Sequence, residues 1–533
     1  MNLVDKTNKT FALTTPLYYV NDVPHIGSAY TTIAADVVAR FQRLLGHRVL
    51  LITGTDEHGQ KIQRSAEALG KAPQDFCDAI VPSFMSLWEI LNIQYDRFSR
   101  TTAPRHEAIV KEFFGRVWEK GDIYQGQQTG WYCVSCEEFK EERELLEGHR
   151  CPIHTNKEVE WRDEKNYFFR LSKYQTQLEE FYQSHPDFIQ PASRRNEVLS
   201  FVSQGLQDFS VSRINLDWGF PVPTDPQHTL YVWFDALLGY VTALLEPDAE
   251  PTLANALATW WPINLHLIGK DILRFHAVYW PAMLLSADLP LPQRVFGHGF
   301  LTKDGQKMGK ALGNTLDPVA LVKSYGSDAV RYYFLKEIEF GKDGDFNESR
   351  FINVLNADLA NDLGNLLNRS LNMVKKYCAG NGLTITEETI AADSPLRTIG
   401  LSLGEEVQQA YETLAFNQAC EAILSLVQAG NKFIDDQAPW SLYKQGQQQE
   451  VEKVLYAVLE SVRLAAYLLS PVIPNISSDI YQQLGLGINF NEQTKTAIAA
   501  PFSIHSKWGI LSNKQQLGNP QPIFKRIESP KKD

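Results

Sequence analysis

Cysteine is scarce in this sequence, which has six in a chain of 533 residues. So few thiols argue against a disulfide-based scaffold and indicate a reducing compartment. The first residues, MNLVDKTNKTFALTT, have no apolar core behind a basic start, so we expect no secretory signal. No stretch reaches about 18 uninterrupted apolar residues, so we also expect no membrane span and a cytoplasmic protein.

Positive charge is also scarce. The 51 Lys and Arg residues are outnumbered by 63 Asp and Glu residues, which gives a formal net charge of −12. A protein that coats nucleic acid would be basic overall, so this balance argues against that role but allows a local basic surface. The hydrophobic content of 44% is typical of a globular protein, and the length predicts about two to four domains.

The N-terminal part has the pattern of a strand–helix–strand unit. The stretch TFALTTPLYYV, residues 10–20, is rich in the residue types of strands, and VLLIT, residues 49–53, is a second apolar run. Between them, apolar side chains recur every four residues, as on one face of a helix: Ala29, Ile33, Val37, Phe41 and Leu45. Such a βαβ unit implies a parallel sheet, and strand patterns return at residues 263–271 and 294–301.

The rest of the chain divides into segments of different character. Residues 121–225 are rich in charge and hold three of the six cysteines, which indicates an insertion into the parallel-sheet domain. From about residue 355 the apolar pattern is helical almost without interruption, which predicts a helix bundle ending in an extended or loose tail. We therefore expect the insertion to separate two halves of a sheet domain, residues 1–120 and 226–300. A region that bears a loop, residues 301–355, and a helical region, residues 356–533, would follow.

The stretch VPHIGSAY, residues 23–30, lies where the first predicted strand meets the first helix. Ligands of open α/β sheets bind at the carboxyl ends of the strands, and the free N–H groups of a helix N-terminus suit phosphate. Gly27 would let a ligand approach the backbone, and His25 would add a hydrogen-bond donor. So short a motif is a weak signal, and a strand-to-helix turn with an incidental histidine explains it as well.

A second element strengthens the phosphate interpretation. In TKDGQKMGKALGN, residues 302–314, Lys307 and Lys310 stand among three spaced glycines. A mobile loop of this kind could close two ammonium groups over a polyphosphate and stabilise the charge of a transition state. A surface loop with solvated lysines is the alternative, but the histidine and the lysine pair together are more specific than either alone.

The clustered cysteines have the spacing of a metal site. CVSC and CPIH offer three thiolates and one imidazole in two x₂ pairs: Cys133, Cys136, Cys151 and His154. This set suits one tetrahedral zinc ion, and four protein ligands leave no open position, so the role would be structural. A redox C-x-x-C is the alternative, although it would need no second pair. His149 competes with His154 in principle, but its spacing fits less well.

The order of these motifs resembles that of the methionyl-tRNA synthetase family of class I aminoacyl-tRNA synthetases. PHIGS is similar to the family's HIGH motif and KMGKA to its KMSKS motif. TPLYYVN, TGTDEHG, YVWFDALLGY, IGKDILRFHAVYWPAML and NDLGNLLNR also match in order, over residues 10 to 480. Two departures stand out: Ser28 replaces the last histidine of HIGH, and Gly309 and Ala311 replace the serines of KMSKS. Ser28 can still donate a hydrogen bond or cap the helix, whereas the Ala311 side chain cannot donate.

The resemblance implies a fold and a reaction. The fold would be a Rossmann-like parallel-sheet catalytic domain with a zinc-binding connective insertion, followed by an all-α anticodon-binding helix bundle. The enzyme would activate L-methionine with ATP to methionyl-adenylate and pyrophosphate, then transfer methionine to the 3′ end of tRNA(Met), including the initiator tRNA. His25, Gly27, Ser28, Lys307 and Lys310 would bind the ATP phosphates. Mg²⁺ would accompany ATP, held largely by substrate oxygens.

The resemblance also implies a methionine pocket. Asp56, at the end of the second strand, would pair with the substrate ammonium. Three chain segments would line the pocket: Leu17 and Tyr19; Trp233, Ala236, Leu237 and Tyr240; and Ile272, Phe275, His276 and Trp280. Sulfur–aromatic contacts would favour methionine over an aliphatic side chain. Ordinary core aromatics are the alternative, particularly for Phe275 and its i+4 neighbour Tyr279.

The helical region carries the candidate RNA surface. Asn361, Asn365 and Asn368 are spaced to share one helix face with Arg369, where amides and a guanidinium could bond to unstacked base edges. Trp440 could stack on an unpaired base. The resemblance makes Asn365, Arg369 and Trp440 the anticodon readers, whereas a polar helix face and a packing tryptophan are the alternative. We expect a monomer, because the C-terminal module through which some family members dimerise is not recognisable.

Two other functions are consistent with parts of the pattern. One is a ligase that adenylates another small acid, against which the helical half and its Asn/Arg face argue. The other is a non-catalytic RNA-binding relative, which the departures at Ser28 and Ala311 would allow. Retention of His25, Asp56 and Trp233 argues against the second. Methionine-dependent exchange of pyrophosphate into ATP would separate all three.

Overall fold

A computed structural model provides the structure of the protein. It describes residues 9–140, 142–152, 158–214, 216–308, 313–378, 382–492, 500–513 and 515–528, and only the backbone of Lys307. In these ranges no helix is both long and apolar enough to traverse a bilayer.

The strands are β1 Thr10–Tyr19, β2 Arg48–Asp56, β3 Arg97–Arg100, β4 Ile123–Cys133, β5 Glu138–Lys140, β6 Glu160–Phe169, β7 Ile189–Gln190, β8 Phe209–Ser210, β9 Ser212–Arg213, β10 Pro221–Val222, β11 Asp225–Leu230, β12 Leu265–Gly269, β13 Val295–His298, β14 Leu301–Lys303, β15 Gln306–Lys307 and β16 Gly344–Phe346. The helices are α1 Ile26–Leu44, α2 Gln60–Ala68, α3 Pro73–Ile90, α4 Pro104–Glu119, α5 Gln175–Ser184, α6 Ala192–Ser203, α7 Val232–Ala236, α8 Gly239–Thr242, α9 Leu253–Leu257, α10 Trp280–Ser286, α11 Pro318–Tyr325, α12 Ser327–Glu337, α13 Glu348–Val354, α14 Asn365–Tyr377, α15 Glu387–Ala391, α16 Pro395–Glu412, α17 Phe416–Gln437, α18 Pro439–Lys444, α19 Gln448–Leu469, α20 Pro474–Gln483 and α21 Phe502–His505. Two further segments, Phe275–Tyr279 and Leu355–Gly364, are π-helical.

A parallel sheet organises the first half of the chain, as predicted. Its strand order is β3-β2-β1-β12-β13-β7, and every neighbouring pair is parallel. After its first residue β2 is buried throughout, because helices cover both faces of such a sheet. The chain leaves β1 toward β2 on one side and reaches β12 on the other, so β1 and β12 flank the switch point of the sheet. Ligands bind at the carboxyl ends of strands at such a point.

The predicted insertion forms a second, antiparallel sheet of order β5-β4-β6-β8. Its core is a long pairing of β4 with β6 that runs from Ile123↔Phe169 to Tyr132↔Glu160. Three strands of the 121–225 segment lie elsewhere: β7 pairs with β13 at the edge of the parallel sheet, and β9 and β10 pair with β11 in a small antiparallel sheet of their own. The boundaries at 121 and 225 stay a prediction, but part of this segment completes the sheet that it interrupts.

The helical region packs directly on the parallel-sheet domain. One continuous cluster of buried apolar side chains extends from α1 through α12 and α13 into α14, α16, α17 and α19. The C-terminal tail is extended, as predicted, and it is held in place: the Ile527 N–H donates to Asn356 Oδ1 at 2.8 Å, and Asn356 Nδ2 donates back to the Ile527 carbonyl at 2.8 Å. The two halves of the chain therefore share one core.

A buried charge cluster crosses this junction. Asp36 of α1 accepts hydrogen bonds from Arg40 Nε at 2.7 Å and from the backbone N–H of Gln94 at 2.8 Å, and it forms an ion pair with Arg331 Nη2 at 2.7 Å. Burial alone would raise the pKa of Asp36, but the two guanidiniums and the N–H outweigh it and lower that pKa. Arg331 also donates to the carbonyls of Pro471 and Val472, at 2.7 and 2.8 Å, which ties α1 to the helical region.

We expect Asp36→Asn to lower the free energy of unfolding by about 3 kcal/mol, because it leaves two buried guanidiniums without their counter-charge. Equilibrium urea unfolding followed by circular dichroism measures the loss. Asp288→Asn is the matched control: Asp288 pairs with Lys120 but its side chain is 81% exposed, so the change should stay within about 0.5 kcal/mol. Equal losses in both variants would contradict a special role for the buried cluster.

Candidate functional site

His25 is the residue that begins α1 at the carboxyl end of β1. Its backbone is extended, and its Nδ1 accepts from the N–H groups of Gly27 and Ser28, at 3.0 and 3.4 Å. Because Nδ1 accepts, the proton of a neutral ring is on Nε2, which is a donor. A Cβ on Gly27 would lie 2.9 Å from His25 Cε1, so a side chain there would displace the ring.

Ser28 lies inside the first turn rather than before it. The helix begins at Ile26, three residues before the first residue of the predicted apolar repeat, Ala29, and its capping residue is His25 rather than Ser28. Ser28 is buried, and its carbonyl accepts from the hydroxyls of Tyr18 and Thr32 at 3.1 and 2.9 Å. These bonds fix the first turn of α1 against β1.

The hairpin that carries Lys307 begins at the same edge of the sheet. His298 ends β13, and its Nε2 lies 2.7 Å from the Thr31 hydroxyl of α1. Leu301 begins β14 three residues later, and β14 pairs with β15, in which Lys307 stands opposite Thr302. Asp345 anchors this hairpin by accepting from the Thr302 hydroxyl at 2.6 Å and the Gly305 N–H at 2.8 Å.

Part of the predicted lysine loop lies outside the described residues. Lys310, Gly309 and Ala311 are in this group, as is the side chain of Lys307. The backbone brings the start of that loop and His25 to one edge of the sheet, which the predicted phosphate site requires.

Asp56 is a buried carboxylate without a full set of partners. It ends β2 in register with Tyr19 of β1, and its Oδ1 has no hydrogen-bond partner among the described residues. Burial, followed by the neighbouring charge of Asp235, raises the pKa of Asp56 well above its ordinary value. An unsatisfied buried carboxylate oxygen at the ligand-binding edge is a candidate partner for a cation.

Several predicted pocket residues lie together. The rings of Trp233 and Phe275 stack with centroids 3.9 Å apart, and Tyr240 donates to His276 Nε2 at 2.8 Å. His276 Nδ1 bonds to the Ile272 carbonyl at 3.0 Å, and burial lowers the pKa of His276 to about 4, so its ring is neutral near pH 7.

The remaining pocket residues differ in burial. Ala236 and Leu237 are buried on α7 and just after it, and the Leu17 side chain fills the space beside Gly239, where a Cβ would lie 2.3 Å from Leu17 Cδ1. Trp280, by contrast, is fully buried and packs on the rings of Phe113 and Trp261. The π-helical turn at Phe275–Tyr279 replaces the α-helix that we expected there.

Sequence reasoning missed a buried chain of hydrogen bonds beside this pocket. Asp235 Oδ2 accepts from His58 Nδ1 at 2.5 Å, and its Oδ1 accepts from His106 Nε2 at 2.6 Å. Burial would raise the pKa of Asp235, but the two histidines outweigh it and lower that pKa to about 2. Asp235 shares α7 with Trp233, so these bonds fix the helix that carries the stacked ring. The three residues lie far apart in sequence, which is why no local pattern revealed them.

The cysteine cluster forms as the spacing predicts. The Sγ atoms of Cys133, Cys136 and Cys151 all lie within 4.8 Å of one another, and those of Cys136 and Cys151 are 3.5 Å apart. His154 lies outside the described residues. The competing His149 stacks on Trp131 with ring centroids 4.0 Å apart, and its Nε2 lies 3.2 Å from Glu142, so its ring is engaged outside the thiol cluster.

The candidate RNA surface is exposed, but its geometry differs from a simple helix face. Asn361 is in the π-helical segment and Asn365 begins α14, so the 3.6-residue spacing that joined them does not apply. Arg369 Nη2 donates to Asp435 at 2.7 Å. Trp440 is 37% exposed and follows Ala438, whose φ of 42° turns the chain sharply between α17 and α18.

The chain is similar to known proteins in both sequence and structure. Residues 11–158 and 144–371 match the family described as tRNA synthetases class I (M), and residues 396–533 match the anticodon binding domain of methionyl tRNA ligase. The chain is 84% identical to a methionine–tRNA ligase of Nostoc sp., with 100% of both chains covered, and 68% identical to one of Synechocystis sp., with 99% of both covered. It is 41% identical to a solved structure of Mycobacterium tuberculosis methionyl-tRNA synthetase in complex with methionyl-adenylate. That alignment has a TM-score of 0.89 and covers 97% of this chain and 100% of the other.

Proposed function

The chain belongs to the methionyl-tRNA synthetase family of class I enzymes, and we propose on that premise how its own residues carry the reaction. Its function is that of a methionine–tRNA ligase. In the first step the methionine carboxylate attacks the α-phosphorus of ATP and pyrophosphate leaves. In the second, a hydroxyl of the 3′-terminal ribose of tRNA(Met), including the initiator tRNA, attacks the methionyl carbonyl of the adenylate, and AMP leaves.

The observation that carries the residue assignment is the unsatisfied Oδ1 of Asp56 beside Tyr19. A carboxylate that lacks a partner in a buried site suits the ammonium of an amino acid. The neighbouring walls suit a thioether, because the stacked Trp233 and Phe275 rings offer aromatic surface to sulfur. We assign Leu17, Tyr19, Ala236, Leu237, Tyr240, Ile272 and His276 to the same pocket. Trp280 supports it from the core.

Two elements would form the phosphate site: the first turn of α1 and the loop that carries the two lysines. His25 Nε2–H and the N–H groups of the first turn of α1, from Gly27 and Ser28, would face the phosphates. Lys307 and Lys310 would stabilise the charge that develops as pyrophosphate leaves. Mg²⁺ would be held mainly by the phosphate oxygens of ATP. Positioning and charge stabilisation account for the catalysis, since no covalent intermediate with the protein is needed.

We expect Asp56→Asn to raise the Kd of methionine about 10- to 100-fold, because it removes a charge-assisted bond to the ammonium, and to leave the KM of ATP unchanged. The pKa of Asp56 is raised, so at low pH the group is neutral and cannot pair with a cation. Methionine affinity of the wild-type protein should therefore improve as pH rises through that pKa. Equilibrium dialysis across pH tests this, and an identical pH profile in the Asn variant would remove Asp56 from the site.

His25→Asn should slow methionine-dependent exchange of pyrophosphate into ATP by about 10²- to 10³-fold, through loss of a donor to the transition state. Asn caps helices well, so α1 and the melting temperature should be preserved. The Kd of methionine measures the intact pocket and should not change. Wild-type exchange rates in this variant would show that His25 takes no part in the chemistry.

We propose that Cys133, Cys136, Cys151 and His154 hold one structural zinc ion. The close Sγ atoms support three of these ligands, because unlinked thiols this near to one another form the donor set that zinc prefers. The metal would supply cross-links to a part of the insertion that has little apolar core. A structural ion of this kind takes no part in the reaction.

We propose that Asn365, Arg369 and Trp440 read the anticodon of tRNA(Met). Exposure of Trp440 beside the turn at Ala438 supports stacking on an unpaired base. We further propose that the enzyme acts as a monomer in the cytoplasm, where translation uses its product. The segment boundaries predicted from sequence belong to this proposal, with the catalytic residues before 355 and the RNA-reading residues after it.

Trp440→Ala should leave pyrophosphate exchange unchanged and lower kcat/KM for tRNA charging by about 10- to 100-fold, because one base–aromatic stack is lost. Trp118→Ala is a matched control, since Trp118 is 36% exposed but lies on α4, far along the chain from the helical region. If Trp440→Ala reduces exchange and charging equally, its role is structural.

A further inference from the structure

The geometry points to a second function for the cysteine-bearing insertion: we propose that Glu137 is a positioning residue whose carboxylate fixes Tyr19 and so completes the methionine pocket. The inference rests on the proposed assignment of Tyr19 to that pocket. Glu137 follows Cys136 directly in sequence, and no motif or spacing singled it out.

The Glu137 side chain reaches out of the insertion into the catalytic domain. Its Oε1 accepts from the Tyr19 hydroxyl at 3.0 Å and from the backbone N–H of Lys61 at 2.8 Å. Its Oε2 accepts from the Tyr132 hydroxyl, within the insertion, at 2.8 Å. One carboxylate therefore joins the end of β1, the start of α2 and the end of β4.

The backbone conformation on both sides favours the contact between Glu137 and Tyr19. Glu137 has a φ of 55°, a left-handed conformation that is uncommon for a side chain other than glycine and persists where surrounding contacts hold it. On the catalytic side, Gly59 leaves the room that these groups occupy, since a Cβ there would lie 2.7 Å from the Tyr19 hydroxyl and 2.9 Å from Glu137 Oε1. Both sides of the contact are thus shaped for it.

Tyr19 is held from more than one direction. The Lys61 ammonium lies 5.4 Å from the centre of its ring, and burial, followed by the Glu137 charge, raises the pKa of its hydroxyl well above the ordinary value. The hydroxyl is therefore protonated and donates to Glu137. Without that acceptor, the ring would lose the bond that fixes its rotation at the pocket wall.

The two buried carboxylates near Tyr19 have different roles. Glu137 accepts from three donors, whereas Asp56, in register with Tyr19, keeps an oxygen without a partner. A substrate ammonium would therefore pair with Asp56, and Glu137 would act only through Tyr19. Loss of Glu137 should weaken methionine binding without affecting ATP binding.

The test uses the zinc-loaded full chain and four variants, three single and one double. Glu137→Ala removes the acceptor; Glu137→Gln keeps an amide oxygen for Tyr19 and Lys61; Tyr19→Phe removes the donor; and the Glu137→Ala/Tyr19→Phe double variant closes the cycle. Glu142→Ala is the matched control, because that carboxylate belongs to the same insertion, is 71% exposed and bonds to Trp131 and His149. Methionine Kd, ATP Kd and zinc content are measured for each.

We expect Glu137→Ala and Tyr19→Phe each to raise the methionine Kd about tenfold, which corresponds to one lost charge-assisted hydrogen bond. Because both remove the same bond, the double variant should bind about as weakly as either single variant. Glu137→Gln should stay within about twofold of wild type, since an amide still accepts from the hydroxyl. ATP Kd and zinc content should be unchanged in every variant, and Glu142→Ala should match wild type throughout.

Other results would overturn the inference. Additive losses in the double variant would mean that the two residues act independently. Equal weakening of methionine and ATP binding, or loss of zinc, in Glu137→Ala would mean that Glu137 only maintains the insertion. Wild-type methionine binding by Glu137→Ala would exclude any role in the pocket. Failure of the wild-type chain itself to bind methionine would instead contradict the pocket assignment.

Discussion

Parallel pairing of β1 with β2 on one side and β12 on the other is the constraint on which the functional site depends. Because neighbouring strands point the same way, their carboxyl ends meet at one edge of the sheet, and the crossover connections leave a crevice there. His25 follows β1, Asp56 ends β2 and His298 ends β13, so residues far apart in sequence reach the same edge. The Thr31–His298 contact holds the first turn of α1 against the strand that leads to the lysine hairpin.

Buried charges organise the regions that surround this edge. Asp36 with its two arginines ties α1 to the helical region, and Asp235 with its two histidines fixes α7, which carries the stacked Trp233. Such pairs add little net stability compared with apolar packing, because desolvation offsets most of their attraction. Their geometry is specific, however: each acceptor has its donors in one arrangement, so the elements that they join have one relative position. This orientation matters for an enzyme that must place two substrates and an RNA on one chain.

Three buried carboxylates lie close to the proposed amino-acid pocket, and they differ in how many hydrogen-bond donors the protein gives them. This difference separates a carboxylate that holds the fold from one that is available to a ligand. Asp235 and Glu137 are saturated by protein donors, whereas Asp56 is not. A buried acceptor left without a partner is costly and is retained where a ligand supplies the missing bond. The same comparison places the insertion beside the proposed methionine pocket, because one of the saturated groups, Glu137, extends from the cysteine cluster to Tyr19. A segment that sequence identifies only by its clustered cysteines thus contacts Tyr19, in the wall of the proposed pocket.

Local patterns in the sequence determined the parallel sheet, the helical region, the three clustered thiols and the strand-end positions of His25 and Asp56, because these follow from apolar periodicity and short spacings. The helix start at Ile26 and its histidine cap were not predicted, since a cap depends on the ring rotamer as well as on residue type. The π-helical segments, the place of β7 in the main sheet, the His58–Asp235–His106 chain and the contact of Glu137 with Tyr19 were decided only by tertiary structure. In each of these, residues tens or more than a hundred positions apart meet, or packing overrides the ordinary helical repeat. Periodicity and short spacings describe only residues close together in the chain, so they cannot predict such contacts.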